Sequence, residues 1–197
     1  HSRDIEPMRG GHGDNYYYQM VEGIRRFKGM PPQESASGVK KIKIDGLFSD
    51  WQDVKPEYRA TRGNTIHRNS KGWGKYVYTN KTGRNDIVSA KVARDSRNLY
   101  FYVACAESIT QPCSKSWLNL FIDIDRKRQT GWEGYDYMIS GHSANGKATL
   151  LRSDNGWNWS KVADVEYRVD GNSLELVVPR KSLGLIRGDA VEFEFKW

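Results

Sequence analysis

Cysteine is scarce in this chain of 197 residues, so few sites can be built on disulfides or on thiolate ligands. The two cysteines, Cys105 and Cys113, show no pairing with histidine at zinc-site spacing. A short-loop disulfide between them would suit an exported protein, whereas two unpaired thiols, with Cys105 buried as a small hydrophobe, are the alternative. No apolar run has the length needed to cross a bilayer. The sequence therefore excludes a cysteine-based zinc site and predicts no membrane span.

Common catalytic and nucleotide-binding motifs are also missing. The internal histidines occur in Gly- or Asn-rich stretches without a serine or cysteine motif around them. The glycines at 10–13 follow no predicted strand, so they do not form a phosphate-binding loop. We therefore expect a non-catalytic chain. An acid/base pair made by Asp123 and Asp125 is the competing interpretation, although any two strand residues at this spacing share a face.

The chain is basic, but its charges are not arranged as in a nucleic-acid-binding protein. Its net charge of +7 comes from 31 Lys and Arg residues against 24 Asp and Glu residues. Clustered basic side chains supply most of the affinity for phosphates, yet here they are spread among the acids and form no helical stripe. We predict a solvated basic surface and no nucleic-acid partner.

Composition and spacing favour a mainly β fold. Gly, Tyr and Trp are frequent, with 19, 11 and 7 residues, which suits short strands joined by turns better than a helical bundle. From Val39 onward, apolar or alternating runs recur roughly every 8–12 residues, which predicts an antiparallel β-sandwich of immunoglobulin or jelly-roll type. The predicted strands are 42–44, 87–95, 99–106, 118–125, 135–139, 148–152, 162–169, 174–178 and 191–195, with 60–85 as a long loop or a loose hairpin.

One short helix is predicted ahead of the β domain. Asp14 or Asn15 can cap it and Gly29 can end it. Its apolar residues at helical spacing are Tyr17, Met20, Val21, Ile24 and Phe27. Because one amphipathic helix is not a domain and the chain opens on His1, we expect a fragment of a larger protein. Residues 1–38 are then a tail, helix and linker from a preceding domain, and 39–197 are the β domain.

The stretch from Trp117 to Ile139 combines strand-like alternation with acidic residues. Leu120 and Ile122 alternate with Phe121, which predicts a strand, and a second apolar run after a basic loop completes a hairpin. Four carboxylates then lie near one end of the sheet, where oxygen ligands suit a hard cation such as calcium. The predicted ligands are Asp123, Asp125, Glu133 and Asp136. Neutralisation of these acids by the basic residues 126–128 is the alternative.

Tryptophans beside turns offer flat apolar faces to sugar rings. A sugar site needs such a face for the C–H side of the ring and a few polar groups for its hydroxyls. Trp117 and Trp132 flank the predicted hairpin, while Trp157 and Trp159 occupy an Asn-rich turn near Arg152. We predict that these five residues bind carbohydrate, with the sugar stacked on Trp117 or Trp132. Burial of the rings at the ends of the core is the alternative for each.

The order of motifs resembles family 9 carbohydrate-binding modules, which belong to the wider group of DOMON-like sandwiches. The resemblance covers about residues 39–197. Its motifs are Ile44-Asp45-Gly46 with Asp50-Trp51, Ala93-Arg94-Asp95 leading to Leu99–Val103, Leu120–Asp123 and Leu174–Pro179. It implies a calcium-bearing β-sandwich, often appended to a glycoside hydrolase, in which two tryptophans clamp a sugar. Trp117 would supply the first clamp ring, although it adjoins the strand directly, and the preceding helix resembles the tail of a catalytic domain.

These observations predict a non-catalytic carbohydrate-binding module of an exported glycan-degrading protein. Its ligand would be an oligo- or polysaccharide, its structural cofactor calcium, and its partner an upstream catalytic domain in the same chain. The expected location is the periplasm, the cell surface or the medium. The alternative is a structural β-sandwich that braces the catalytic domain without binding sugar.

Overall fold

The chain divides into two compact units, residues 1–35 and 36–197. The computed structural model describes residues 15–29, 34–63, 65, 68–71, 75, 77–112, 117–185 and 191–197.

In the first unit, α1 runs from Asn15 to Phe27, with Arg25 and Arg26 in its last turn, where positive charge complements the helix dipole. The predicted helix is confirmed, whereas most of the predicted tail and part of the linker lie outside the described residues. No helix in the described ranges has the length and hydropathy needed to cross a membrane.

The second unit is mainly β. Nine strands form one antiparallel sheet in the order β1-β4-β5-β10-β9-β8-β7-β6-β11, and β2 pairs with β3 in a separate hairpin. The strands are β1 Tyr58–Arg59, β2 Arg68–Lys71, β3 Val77–Asn80, β4 Ile87–Arg94, β5 Asn98–Cys105, β6 Leu120–Asp123, β7 Tyr137–Ser143, β8 Lys147–Asn155, β9 Asn158–Asp170, β10 Ser173–Pro179 and β11 Glu194–Lys196. The predicted antiparallel β class is confirmed.

Most predicted strands are present, with one clear exception. The β4–β5 hairpin and the strands β7 to β10 follow the apolar runs of the sequence, and the 60–85 segment contains the β2–β3 hairpin. The prediction of a strand at 42–44 is wrong. Ile42 is 3 % exposed, but it packs against Trp51 on the outer face of the sheet, and the segment meets β4 through a hydrogen bond from Lys40 N to Arg94 O of 2.9 Å. Its apolar residues are buried by packing on a sheet face and not by joining the ladder.

The sheet curls until its two edges meet. The ring of Phe195 on β11 lies 5.4 Å from the ring of Tyr58 on β1 and 5.8 Å from that of Phe101 on β5. The curl encloses a core that draws on every strand from β5 to β10, and its central side chains are fully buried. These include Leu99, Phe101, Leu120, Ile122, Ile139, Leu150, Leu174 and Leu176. Replacing one such leucine or isoleucine by alanine costs roughly 2–5 kcal/mol.

A second, smaller core covers part of the outer face. Trp51 is 2 % exposed and packs with Ile42 and Tyr100. Its indole Nε1 donates a 2.8 Å hydrogen bond to Glu175, a fully buried carboxylate on β10, and the backbone N–H of Gly46 donates to the same group at 2.7 Å. Because the carboxylate is paired, its burial fixes the 45–51 segment over β10. This smaller core does not extend over strands β6 to β9, whose outer face carries the residues described next.

Candidate ligand-binding site

The connection from β6 to β7, residues 124–136, is held by left-handed backbone conformations. Trp132 and Tyr135 exchange two backbone hydrogen bonds of 2.9 Å, and the residues between them, Glu133 and Gly134, have φ of 53° and 94°, as in a type I′ turn. Gly131 has φ of 63°, and a Cβ there would lie 2.1 Å from the carbonyl oxygen of Tyr135. Only glycine fits at this position. The turn thus fixes where the Trp132 and Tyr135 rings lie.

Three of the four predicted cation ligands converge beneath this connection. Asp123, Asp125 and Asp136, here called the Asp triad, each offer an oxygen, and these oxygens lie within 4.8 Å of one another. Burial raises the pKa of Asp123 and of Asp136, and repulsion from the neighbouring carboxylates adds to the effect. Hard cations favour oxygen ligands of this kind, so the donor set fits a divalent cation.

Backbone groups of the connection hold the triad in place. Asp123 Oδ1 accepts hydrogen bonds from the N–H groups of Asp125 and Arg126 at 3.1 and 2.6 Å. Asp136 Oδ2 accepts from the N–H of Ile124 at 2.9 Å. The Thr130 hydroxyl donates to Asp125 Oδ1 at 3.0 Å. The positions of the carboxylates are therefore set by the same loop that positions the tryptophan.

The fourth predicted ligand, Glu133, and one of the three predicted neutralising residues, Arg126, lie outside the Asp triad. Glu133 is exposed at the tip of the turn and lies outside the converging group, so its assignment as a ligand stays a prediction. The guanidinium of Arg126 pairs with Glu192 at 2.7 Å and not with the triad. Arg152 is exposed on β8 opposite Tyr137, and its charge lowers the pKa of Asp136, although burial still dominates that pKa.

Five aromatic rings form one cluster on the outer side of the sheet beside the triad. We call Phe121, Trp132, Tyr135, Trp157 and Trp159 the outer ring cluster. The centroid distances are 4.6 Å for Trp132–Trp157, 5.2 Å for Phe121–Trp132 and 5.6 Å for Trp157–Trp159. Trp157 is 57 % exposed, and the other four rings are partly exposed. The β8–β9 hairpin therefore brings Trp157 and Trp159 back against Trp132, which sequence spacing alone does not show.

Phe121 links the cluster to the Asp triad. Leu120 and Ile122 face the core, so Phe121 and Asp123 both lie on the opposite side of β6. The Phe121 ring also contacts Tyr135 at 5.5 Å and Trp159 at 6.2 Å. Phe121 and Tyr135 were not among the predicted site residues, although the alternation along β6 already placed Phe121 away from the core.

Trp117 does not belong to the site. It is 1 % exposed, and its indole Nε1 donates to the carbonyl oxygen of Thr110 at 2.8 Å. Its ring packs edge-on against His142 at 4.8 Å, and His142 packs in the same way against Tyr167. We call these three residues the buried ring trio. The prediction that Trp117 stacks on a sugar is wrong, because its ring is 1 % exposed and belongs to the main core.

The predicted disulfide falls at the edge of the described structure. Cys105 lies in the core with 0 % exposure, and burial raises the pKa of its thiol to about 11. Cys113 lies outside the described residues, so the pairing stays a prediction.

No family model, no curated protein and no solved structure shows a significant match to this chain.

Proposed function

We propose that residues 39–197 form a non-catalytic carbohydrate-binding module, with the curled sheet flattened into a β-sandwich. The observation that carries the proposal is the outer ring cluster, in which a tryptophan is 57 % exposed within a group of five contacting rings. Large exposed apolar groups mark binding surfaces, because leaving them in water is costly. In this proposal residues 1–38 lead to an upstream catalytic domain, and the whole protein is exported to the periplasm, the cell surface or the medium.

The geometry of the cluster suits a sugar ring better than a flat apolar partner. The planes of Trp132 and Trp157 meet at 72° and those of Trp157 and Trp159 at 88°, so the surface is angular. A pyranose can stack its C–H side on one ring while the neighbouring ring borders it. Asn155 and Asn158 are exposed at the same turn and supply amide groups for hydroxyls. One stacked face and a few exposed hydrogen bonds support affinities of about micromolar or weaker.

Calcium is the proposed structural cofactor, bound at the Asp triad. Three carboxylates supply part of the six to eight oxygens that calcium takes, and backbone carbonyls or water would supply the others. Binding would neutralise the repulsion among the carboxylates. The role of the ion would be to hold the 124–136 connection in the conformation that presents Trp132.

Affinity electrophoresis in gels containing soluble polysaccharides tests the proposal. Trp157→Ala removes the most exposed ring of the cluster, so we expect it to abolish retardation by a polysaccharide that retards the parent protein. The matched control is Phe27→Ala, which removes a 92 % exposed ring from α1 in the other unit and should leave retardation unchanged.

Two outcomes would reject the proposal. Absence of retardation across cellulose, xylan, mannan, glucan and pectin gels would favour the bracing domain, in which the same rings meet a protein neighbour. Hydrolysis of aryl-glycosides by the isolated chain, lost on Asp123→Asn, would favour catalysis.

A further inference from the structure

An open cleft of about 590 Å³ adjoins the outer ring cluster. This volume is within the range of roughly 300–1,000 Å³ typical of small-molecule sites. Among the residues that line it are Thr79, Lys81, Thr82, Arg84, Phe121 and Trp197. Four of these lie on β3 and the connection to β4, one on β6, and one directly after β11.

The cleft lies where the curled sheet closes. β4 stands next to one edge of the nine-stranded sheet, and β6 stands next to the other, so the cleft is bounded by parts of the chain that approach only because the sheet curls. The described edges, β1 and β11, contact each other through rings and not through a hydrogen-bonded ladder. A seam of this kind leaves room for a ligand without breaking backbone pairing.

Phe121 makes the cleft and the outer ring cluster one continuous surface. Phe121 lines the cleft, and its ring contacts Trp132 at 5.2 Å and Tyr135 at 5.5 Å. A ligand longer than one sugar ring that stacks on the cluster therefore has a direct path into the cleft. A polysaccharide is such a ligand.

The charge of the cleft restricts which polysaccharide fits. Lys81 and Arg84 are exposed and line it, and none of its described lining residues is acidic. A guanidinium binds a carboxylate through two parallel hydrogen bonds, and an ammonium adds a point charge. The hydroxyls of Thr79 and Thr82 add hydrogen-bonding groups that do not require charge.

We infer that the module binds an acidic polysaccharide, with sugar rings on the outer ring cluster and a carboxylate-bearing unit in the cleft beside Lys81 and Arg84. This inference rests on the proposed carbohydrate binding and adds the class of ligand. The overall charge of +7 favours the same class, because it draws polyanions toward the surface.

Matched pairs of polysaccharides test the inference. Polygalacturonate and its methyl ester share a backbone and differ in charge, as do carboxymethylcellulose and hydroxyethylcellulose. We expect the protein to bind the charged member of at least one pair about tenfold more tightly, as measured by affinity electrophoresis and calorimetry. The double variant Lys81→Gln/Arg84→Gln should lose that preference and keep its affinity for the neutral member, because two exposed ion pairs together account for about this factor.

Two controls separate a built site from general attraction of a basic protein to a polyanion. Lys41→Gln/Lys43→Gln removes the same charge from exposed positions flanking Ile42 and should keep the preference. Polyglutamate carries carboxylates without sugar rings and should bind at least several-fold more weakly than the charged polysaccharide. Raising the salt concentration should reduce the preference, since exposed charges are screened.

The failures of the two proposals are distinguishable. Equal affinity for both members of each pair, with Trp157→Ala still abolishing binding, overturns the acidic ligand and leaves carbohydrate binding in place. Equal loss of the preference for the charged polysaccharide in Lys81→Gln/Arg84→Gln and in Lys41→Gln/Lys43→Gln, or equal binding of polyglutamate, also overturns it. Absence of binding to every polysaccharide tested overturns both.

Discussion

The buried ring trio and the outer ring cluster are built from the same kinds of side chain but differ in exposure. In the trio, Trp117 is 1 % exposed and its N–H is paired, and the hydroxyl of Tyr167 donates to the carbonyl of Ser143 at 2.8 Å. In the cluster, Trp157 is 57 % exposed and packs against neighbouring rings of the same surface. An aromatic residue next to a turn therefore says little about function until its exposure is known. Removing rings from each group should separate stability from binding.

The largest effect is expected from truncating the trio. Trp117→Ala deletes a fully buried ring and leaves Thr110 without its donor, so the free energy of unfolding should fall by about 3–5 kcal/mol. Urea denaturation followed by circular dichroism measures it. A loss below about 1 kcal/mol would mean that the trio is not part of the core.

The trio should also make stability depend on pH. The ring nitrogens of His142 are buried and have no hydrogen-bond partner within the described part of the chain, and burial lowers the pKa of this histidine from 6.5 to about 4. The unfolded chain then binds a proton more readily than the folded one between these values. Stability from this group is complete above about pH 6.5 and is lost as pH falls toward 4, by up to about 3 kcal/mol.

His142→Phe isolates this contribution. Urea denaturation at pH 7 and pH 4.5 should show a smaller acid loss for the variant than for the parent. The raised pKa values of Asp123 and Asp136 act with the opposite sign, since their proton uptake favours the folded state as pH falls, and they are common to both proteins. Identical pH dependence in the two proteins would contradict the assignment to His142.

Metal removal should affect the side of the molecule that carries the outer ring cluster. If calcium holds the triad, a chelator should lower the melting temperature of the calcium-loaded protein by about 5 °C at saturating metal. Asp136→Asn should remove this response and weaken binding of the polysaccharide. Asp164→Asn, an exposed acid paired with Lys161, should keep both. A melting temperature that does not change on addition of chelator would reject the cation site.

The smallest effect on stability is expected from the most exposed ring. Trp157→Ala should change the free energy of unfolding by less than about 1 kcal/mol while abolishing polysaccharide binding, because the ring buries little surface in the free protein. The same urea titration used for Trp117→Ala gives the comparison directly. A loss as large as that of Trp117→Ala would place both groups in the core.

Period-two alternation predicted the local features of the fold, which depend on residues close together in the sequence. It indicated the strand at Leu120–Asp123, the β4–β5 hairpin and the class of the fold, because a strand records burial at every second residue. It also indicated that Asp123 and Asp136 would meet, since the hairpin brings strand ends together.

Period-two alternation could not predict contacts between distant parts of the chain. Glu175 lies between Leu174 and Leu176, so alternation places it on an outer face that is ordinarily solvated. Its burial follows from hydrogen bonds donated by Gly46 and Trp51, more than 120 residues away. The sequence also left undetermined whether the Trp117 ring is buried or exposed. A residue just before a strand need not follow the alternation of that strand.

The brevity of the two strands at the ends of the sheet has a consequence for crowded conditions. β1 has two residues and β11 has three, so the described edges expose few unpaired N–H and C=O groups. Exposed edges are templates on which another chain can add a strand, and short ones offer little template. Copies gathered densely, as they would be along a polysaccharide in the proposed function, should therefore stay separate instead of growing into a shared sheet.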